Sequence, residues 1–129
     1  MAGSRILVVD DEKGLRDLFY KKLVEEGYTV ETAQEGKEAL RKARMTPFDL
    51  VLMDIRLPKM EGLEVIVRMK RILPDCAFII LTGLPLGEEM MGLLKERVFD
   101  CILKPFDLSK IVRKIRKALE AKPASAGHD

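Results

Sequence analysis

Short apolar runs alternate with longer amphipathic segments along the chain, and the two patterns predict different secondary structures. Five apolar runs are of strand length and lie at residues 6–9, 28–30, 50–53, 77–81 and 101–103. Three of them are continuous, which is typical of central parallel strands that are covered by helices on both faces. We therefore predict a parallel sheet with helices packed on its two sides.

The segments between these runs carry apolar residues at helical spacing. The last segment is the clearest, because Asp107 stands at its N-cap position and Pro123 follows its end. Gly27 is placed to close the first helix as a C-cap. The predicted apolar stripes are Leu15, Leu18, Phe19 and Leu23 in the first helix, Leu63, Val65, Ile66 and Met69 in the third, and Leu108, Ile111, Val112, Ile115 and Leu119 in the last.

Five strands that alternate with helices predict an α/β fold of the flavodoxin-like, doubly wound type. Such a (βα)5 chain has right-handed crossovers and a five-stranded parallel sheet in the order 2-1-3-4-5. A chain of 129 residues has room for one domain, which we predict at residues 1–121. Residues 122–129 are expected to be a flexible tail or the start of a linker.

Composition narrows the class of protein without indicating a function. A hydrophobic share of 47% and a charged share of 34% are typical of a soluble globular chain rather than a disordered one. No apolar run approaches the roughly 20 residues of a membrane helix, so we expect no membrane partner. Cys76 and Cys101 are too few for a disulfide framework and suit a reducing environment as free thiols. These features together predict a cytoplasmic protein.

Chemically active side chains follow four of the five predicted strands. Asp10 and Asp11 follow the first strand, Asp54 the third, Thr82 the fourth and Lys104 the fifth. In open α/β sheets, ligands bind beyond the carboxyl ends of the strands, near the point where the strand order reverses. The sequence therefore predicts that these five residues meet at one edge of the sheet.

This set of side chains suits phosphoryl transfer. Three carboxylates in one pocket repel each other unless a cation neutralises them, and Mg²⁺ prefers such oxygen ligands. Zinc would require His or Cys ligands, which the set lacks. A carboxylate nucleophile, a lysine for the developing charge and a hydroxyl for a phosphoryl oxygen together indicate an aspartyl-phosphate product.

Four segments resemble the response-regulator receiver family, over residues 5 to about 121: residues 8–12 (VVDDE), 54–62 (DIRLPKMEG), 80–83 (ILTG) and 103–106 (LKPF). The resemblance implies a phosphorylatable switch of a two-component or phosphorelay system, with Asp54 as the phosphoacceptor. It implies that Asp11 binds Mg²⁺ directly and Asp10 mainly through water, while Asp54 and the backbone carbonyl of Arg56 complete the metal shell. Lys104 would pair with the carboxylate or phosphoryl group, and Thr82 would bond a phosphoryl oxygen.

The resemblance also implies partners and a backbone feature. The donor would be a sensor histidine kinase or a phosphotransfer protein, and an output domain or protein would dock on the face formed by the fourth helix, fifth strand and fifth helix. Such a domain is a signalling module rather than an enzyme, although it assists its own phosphorylation and dephosphorylation. We expect a cis peptide bond at Lys104–Pro105.

One departure from the family pattern concerns the switch. The family often has an aromatic residue three positions before the lysine, where this chain has Cys101. A thiol is too small to move between the surface and a buried pocket with much gain in buried apolar area. We therefore expect a muted or rerouted response to phosphorylation.

Other structural and functional interpretations fit these residues less well. Asp10 and Asp11 could cap the first helix, and Asp54 could be a turn residue, but their combination with Lys104 favours a site. A phosphatase of the haloacid-dehalogenase family needs a second aspartate where this chain has Arg56. A flavodoxin needs a Ser/Thr/Gly-rich phosphate loop after the first strand, where this chain has Asp10, Asp11 and Glu12. A receiver-like module that has lost phosphorylation usually lacks one of the acidic residues or the lysine, and this chain keeps them all.

A basic run near the C-terminus raises the possibility of nucleic-acid binding. The run lies opposite the apolar stripe of the last helix, so a solvated helix face is the better interpretation and we expect no nucleic-acid partner. Its members are Lys110, Arg113, Lys114, Arg116 and Lys117.

Overall fold

The computed structural model describes residues 3–56 and 62–121, in which strands and helices alternate as predicted. The strands are β1 (Arg5–Val9), β2 (Thr29–Ala33), β3 (Leu50–Asp54), β4 (Ala77–Thr82) and β5 (Asp100–Leu103). The helices are α1 (Lys13–Glu25), α2 (Gly36–Met45), α3 (Gly62–Ile72), α4 (Glu88–Lys95) and α5 (Leu108–Ala121). Residues 122–129, where a tail or linker was predicted, lie outside the described residues.

The five strands form one parallel sheet in the order β2-β1-β3-β4-β5, which confirms the predicted fold and topology. The register aligns Asp54 with Leu81 and Thr82 with Leu103, so the carboxyl ends of β3, β4 and β5 lie side by side. The second strand is longer than the predicted run at residues 28–30. Strand β2 lies at the edge of the sheet, where Glu31 and Thr32 remain partly exposed and interrupt the apolar pattern.

Two hydrophobic clusters cover the two faces of the sheet. Helices α2, α3 and α4 pack on one face, and α1 and α5 pack on the other. The predicted stripes of α3 and α5 are buried or partly buried, whereas Leu18 of the α1 stripe is 44% exposed. Phe19 and Leu23 of the same helix are fully buried, and Leu18 lies at the edge of the stripe that they define.

The predicted capping roles of Gly27 and Asp107 and the predicted cis peptide bond are confirmed. Gly27 follows α1 with a φ of 97°, which is the left-handed conformation that glycine adopts readily. The Asp107 carboxylate accepts a hydrogen bond of 2.9 Å from the backbone N–H of Ser109 and so caps α5. The Lys104–Pro105 bond is cis. No helix within the described ranges is both long and apolar enough to cross a membrane.

Candidate functional site

The polar side chains of the site are buried at the carboxyl edge of the sheet. Asp10 directly follows β1, Asp54 ends β3 and Thr82 ends β4. Their exposed fractions are only 1%, 7% and 3%. Buried carboxylates are costly unless they are paired or bind a cation, so this concentration of them indicates a binding site rather than a structural core.

Three carboxylates converge at this edge. Asp10, Asp11 and Asp54 each offer an oxygen, and these oxygens lie within 4.8 Å of one another. Burial raises the pKa of Asp10, and the charges of Asp54 and Asp11 raise it further, although a hydrogen bond from Glu12 and the charge of Lys104 act in the opposite direction. The repulsion among these groups is what a bound cation would relieve.

The two side-chain oxygens of Asp10 differ in their hydrogen bonding, and Oδ2 supports a cation site. Its Oδ1 accepts a hydrogen bond of 2.8 Å from the backbone N–H of Glu12. Its Oδ2 is buried and has no hydrogen-bond partner among the described residues. A buried oxygen without a donor, beside two further carboxylates, fits an all-oxygen site for a hard divalent cation.

Lys104, directly after β5, brings an ammonium group to the carboxylates. Its Nζ lies 2.9 Å from Oδ2 of Asp54 and 4.0 Å from Oδ2 of Asp10. Burial alone would lower the pKa of Lys104, but the hydrogen bond and charge of Asp54, with the charge of Asp10, outweigh it and raise the pKa. The ammonium group is therefore fully charged and held against the Asp54 carboxylate.

The second oxygen of Asp54 is held by the loop that follows β3. Its Oδ1 accepts a hydrogen bond of 2.8 Å from the backbone N–H of Arg56, whose side chain is exposed. Residues 57–61, part of the segment that resembles the receiver family, lie outside the described residues. Gly62, the first residue of α3, donates its N–H to the carbonyl of Ile55 at 3.2 Å.

The Thr82 hydroxyl lies at the same edge but is engaged within its own loop. Its Oγ1 donates to the carbonyl of Leu84 at 2.6 Å and accepts from the N–H of Leu84 at 3.3 Å. The predicted residue is therefore in place at the end of β4, and its described hydrogen bonds are with Leu84 rather than with Asp54.

Two contacts around the site were not predicted from the sequence. A guanidinium nitrogen of Arg16, in α1, donates to the backbone carbonyl of Asp10 at 2.9 Å. The ring of Phe106, two residues after Lys104, stacks on Phe19 of α1 with a centroid distance of 5.4 Å. Arg16 belongs to the polar part of its helix, where a sequence pattern does not distinguish a bonded side chain from a solvated one.

Comparison with known proteins agrees with this geometry. Residues 6–116 match the family described as the response regulator receiver domain. The chain is 33% identical over 117 residues to the transcriptional regulatory protein GlrR of Escherichia coli K12, covering 91% of this chain and 26% of that protein. It is 34% identical over 122 residues to the response regulator ArlR of Staphylococcus epidermidis, covering 93% of this chain and 54% of that protein. The chain thus spans between about a quarter and a half of these relatives.

Solved structures show the same similarity. A CheY-like response regulator receiver domain protein from Methanospirillum hungatei is 34% identical, with a TM-score of 0.86 and coverage of 92% of this chain and 94% of that chain. The response regulator TrrA of Thermotoga maritima, solved in complex with Mg²⁺ and BeF, is 36% identical, with a TM-score of 0.78 and coverage of 89% and 98%. The fold, the acidic edge of the sheet and the match over residues 6–116 show that this chain belongs to the response regulator receiver domain family of two-component signalling.

Proposed function

We propose that this chain is a phosphorylatable switch whose phosphoacceptor is Asp54. The observation that carries the proposal is the contact of 2.9 Å between Lys104 Nζ and Asp54 Oδ2 beside the acidic pair Asp10–Asp11. An ammonium group at this position can balance the charge of a phosphoryl group on Asp54, and the acidic pair can hold a cation against the same group. Lys104 Nζ lies closer to Asp54 than to Asp10, at 2.9 Å against 4.0 Å.

The residues that would hold Mg²⁺ are Asp10, Asp11, Asp54 and the backbone carbonyl of Arg56. The unpartnered Oδ2 of Asp10 and the all-oxygen character of the cluster support this assignment. The chemistry that a bound Mg²⁺ supplies is neutralisation of the carboxylates and of the incoming phosphoryl oxygens. We propose that this assistance lets the domain promote its own phosphorylation and dephosphorylation.

The transfer is a displacement at phosphorus. A carboxylate oxygen of Asp54 forms the new bond to phosphorus, and the bond from phosphorus to the donor nitrogen or oxygen breaks, with its electron pair leaving on the donor. Lys104 then binds a phosphoryl oxygen in place of the free carboxylate. The single proton of the Thr82 hydroxyl can be donated to the Leu84 carbonyl or to a phosphoryl oxygen, but not to both.

The family implies a phosphoryl donor and a downstream partner, and we propose a sensor histidine kinase or a phosphotransfer protein as the donor. The output domain or protein is proposed to dock on the α4–β5–α5 face. Met91, Phe99 and Leu103 are exposed there, and a cavity of about 540 Å³ lies between α4 and β5 with Cys101 in its wall. We further propose that residues 1–121 form the domain, that residues 122–129 are its tail or linker, and that it acts in the cytoplasm.

We propose no nucleic-acid partner for this domain. All five described helices pack against the sheet, so none projects as a separate recognition element. Within the basic run of α5, Lys114 pairs with Asp100 and Arg116 with Glu26, which reduces the free charge of that helix. Both observations support a solvated helix face.

Phosphorylation by a small donor tests the proposed acceptor. Incubation with acetyl phosphate and Mg²⁺ should increase the intact mass by one phosphoryl group, and hydroxylamine should remove it because the product is an acyl phosphate. Asp54→Asn should abolish the increase, and the matched variant Asp17→Asn, at an exposed aspartate of α1, should retain it. Equal labelling of Asp54→Asn and the wild type would refute the assignment.

A further inference from the structure

The loop between β1 and α1 carries the acidic pair Asp10–Asp11, and a side chain of α1 binds its backbone. We infer that Arg16 is a positioning residue that holds this loop, and with it the two carboxylates, in the arrangement that binds the cation. The inference rests on the proposed function, because it concerns the affinity of the same acidic site for Mg²⁺.

Hydrogen bonds fix Asp10 on three sides. Its backbone N–H donates to the carbonyl of Ala33 in β2 at 3.1 Å. Its Oδ1 accepts from the N–H of Glu12 at 2.8 Å, and its backbone carbonyl accepts from Nη1 of Arg16 at 2.9 Å. The remaining oxygen, Oδ2, is the buried one without a hydrogen-bond partner among the described residues. The direction of that oxygen is therefore set by the other three bonds.

Arginine is well suited to this task. Its guanidinium is always charged and donates through a planar group, so a bond to a carbonyl is stronger than one between neutral groups. Arg16 lies in a helix that Phe19 and Leu23 anchor in the core, and its own N–H donates to the carbonyl of Glu12 at 3.1 Å. The side chain thus ties a loop residue to a rigid element, which is how supporting contacts orient metal ligands.

The hydrogen-bond partner of Arg16 indicates that this residue positions the loop rather than neutralises the carboxylates. The described hydrogen bond of the Arg16 side chain goes to the carbonyl of Asp10, not to a carboxylate. A cationic side chain that acted only through its charge would oppose binding of Mg²⁺ by repulsion, and its removal would strengthen binding. A positioning residue has the opposite effect, because its removal lets the carboxylates of Asp10 and Asp11 separate.

Two substitutions distinguish these roles. Arg16→Met keeps an unbranched, flexible side chain but removes the donor, and Arg16→Lys keeps the charge on an ammonium group in place of the planar guanidinium. The control is Arg97→Met, because Arg97 also donates from Nη1 to a backbone carbonyl, that of Leu93, at 2.6 Å but lies after α4. Mg²⁺ affinity is measured by calorimetry, and exchange of the Glu12 amide hydrogen is measured by NMR without metal.

We expect Arg16→Met to weaken Mg²⁺ binding about tenfold, as loss of a supporting contact to metal ligands does. Arg16→Lys should fall between it and the wild type, and Arg97→Met should match the wild type. Amide exchange at Glu12 should be faster in metal-free Arg16→Met. Unchanged or tighter Mg²⁺ binding by Arg16→Met would overturn the inference, as would unchanged exchange at Glu12. A wild type that fails to bind Mg²⁺ would refute the proposed function, and the exchange rate would still decide whether Arg16 orders the loop.

Discussion

Lys104 Nζ lies 2.9 Å from Oδ2 of Asp54, although the two residues are 50 positions apart in the sequence. The contact exists because β3 and β5 flank β4 in the sheet, so their carboxyl ends lie close together. It places a fully charged ammonium against the carboxylate that we propose as the phosphoacceptor. The Lys104 ammonium that would bind a phosphoryl oxygen is thus in place before Asp54 is phosphorylated.

Replacement of Lys104 should separate metal binding from the response to phosphorylation. Lys104→Ala should fold and retain most of the affinity for Mg²⁺, because the ammonium repels the cation rather than binding it. It should lose the structural change that accompanies phosphorylation, because the phosphoryl group no longer has its cationic partner. Backbone amide shifts with Mg²⁺ and beryllofluoride, a phosphoryl mimic, measure both effects.

The matched control for this variant is Lys110→Ala. Lys110 is exposed on α5, and its loss should leave the change in amide shifts on beryllofluoride binding as it is in the wild type. A response in Lys104→Ala as large as that of the wild type would contradict the role assigned to Lys104.

Replacement of Asp10 should stabilise the protein in the absence of metal. The pKa of Asp10 is raised mainly by burial, so the folded state favours its neutral form. Protonated Asp10 stabilises the folded state. This stabilisation is fully present below the ordinary pKa of an unfolded aspartate, about 4, and is lost as the pH rises through the higher pKa of Asp10 in the folded state. At pH 7 in EDTA, the free energy of unfolding of Asp10→Asn should exceed that of the wild type by about 1 kcal/mol or more.

Denaturant unfolding at several pH values provides the measurement. The advantage of Asp10→Asn should shrink as the pH falls towards 4 and should also shrink when Mg²⁺ is added, because the cation stabilises the wild-type carboxylates. A variant that is less stable than the wild type at pH 7 in EDTA would show that burial of the charged Asp10 carboxylate does not destabilise the metal-free protein.

Much of this site was predictable because each of its side chains ends an apolar run. The positions of Asp10, Asp54 and Thr82 followed from the strand pattern, and the sheet order then placed them at one edge. The pattern located β2 less well, because an edge strand with Glu31 and Thr32 lacks a continuous apolar run. It likewise included the exposed Leu18 in the apolar stripe of α1, since helical spacing alone does not define the edge of a buried stripe.

Other features depend on three-dimensional contacts that leave no mark on the sequence pattern. The bond from Arg16 to the carbonyl of Asp10 depends on how α1 leaves the loop. The direction of the Thr82 hydroxyl depends on the conformation of the following loop, where Leu84 competes for its proton. The close approach of Gly62 to Ile55 depends on where α3 begins relative to β3.

That close approach makes Gly62 sensitive to substitution. A Cβ atom at this position would lie 2.4 Å from the carbonyl oxygen of Ile55 and 2.9 Å from its Cα, so the backbone directly after Asp54 would have to move. We expect Gly62→Ala to lower the free energy of unfolding by about 1–3 kcal/mol, as overpacking does elsewhere. Thermal or denaturant unfolding measures the change.

Gly92→Ala is the contrasting control. Its Cβ would meet no atom within 4 Å, and Gly92 lies inside α4, where alanine is the better helix former. This variant should gain about 0.5–1 kcal/mol of stability. If Gly62→Ala were as stable as the wild type, the contact with Ile55 would not constrain the loop.

The switch should respond weakly beyond the immediate site. Cys101 occupies the position where the family often has an aromatic residue, and it lines the cavity of about 540 Å³ between α4 and β5. Phe99 lines the same cavity but is 44% exposed and precedes β5. Beryllofluoride should therefore shift the amides beside Asp54 and Leu84 more than those of the rest of residues 84–117.

Cys101→Phe provides the matched test of this expectation. An aromatic ring at this position would have more apolar area to bury in the cavity than the thiol has, which should strengthen the response of α4 and β5. Shifts across the rest of residues 84–117 in the wild type that equal those beside Asp54 and Leu84 would contradict the expectation of a muted switch.

The identity of the phosphoacceptor is the central claim, and chemical mapping of the phosphorylated residue tests it most directly. Borohydride reduces an aspartyl phosphate to homoserine, which tandem mass spectrometry of the digested protein locates in the sequence. After phosphorylation with acetyl phosphate and Mg²⁺, homoserine should appear at position 54, and omission of Mg²⁺ should prevent it. Homoserine at Asp10 or Asp11, with Asp54 unmodified, would contradict the account.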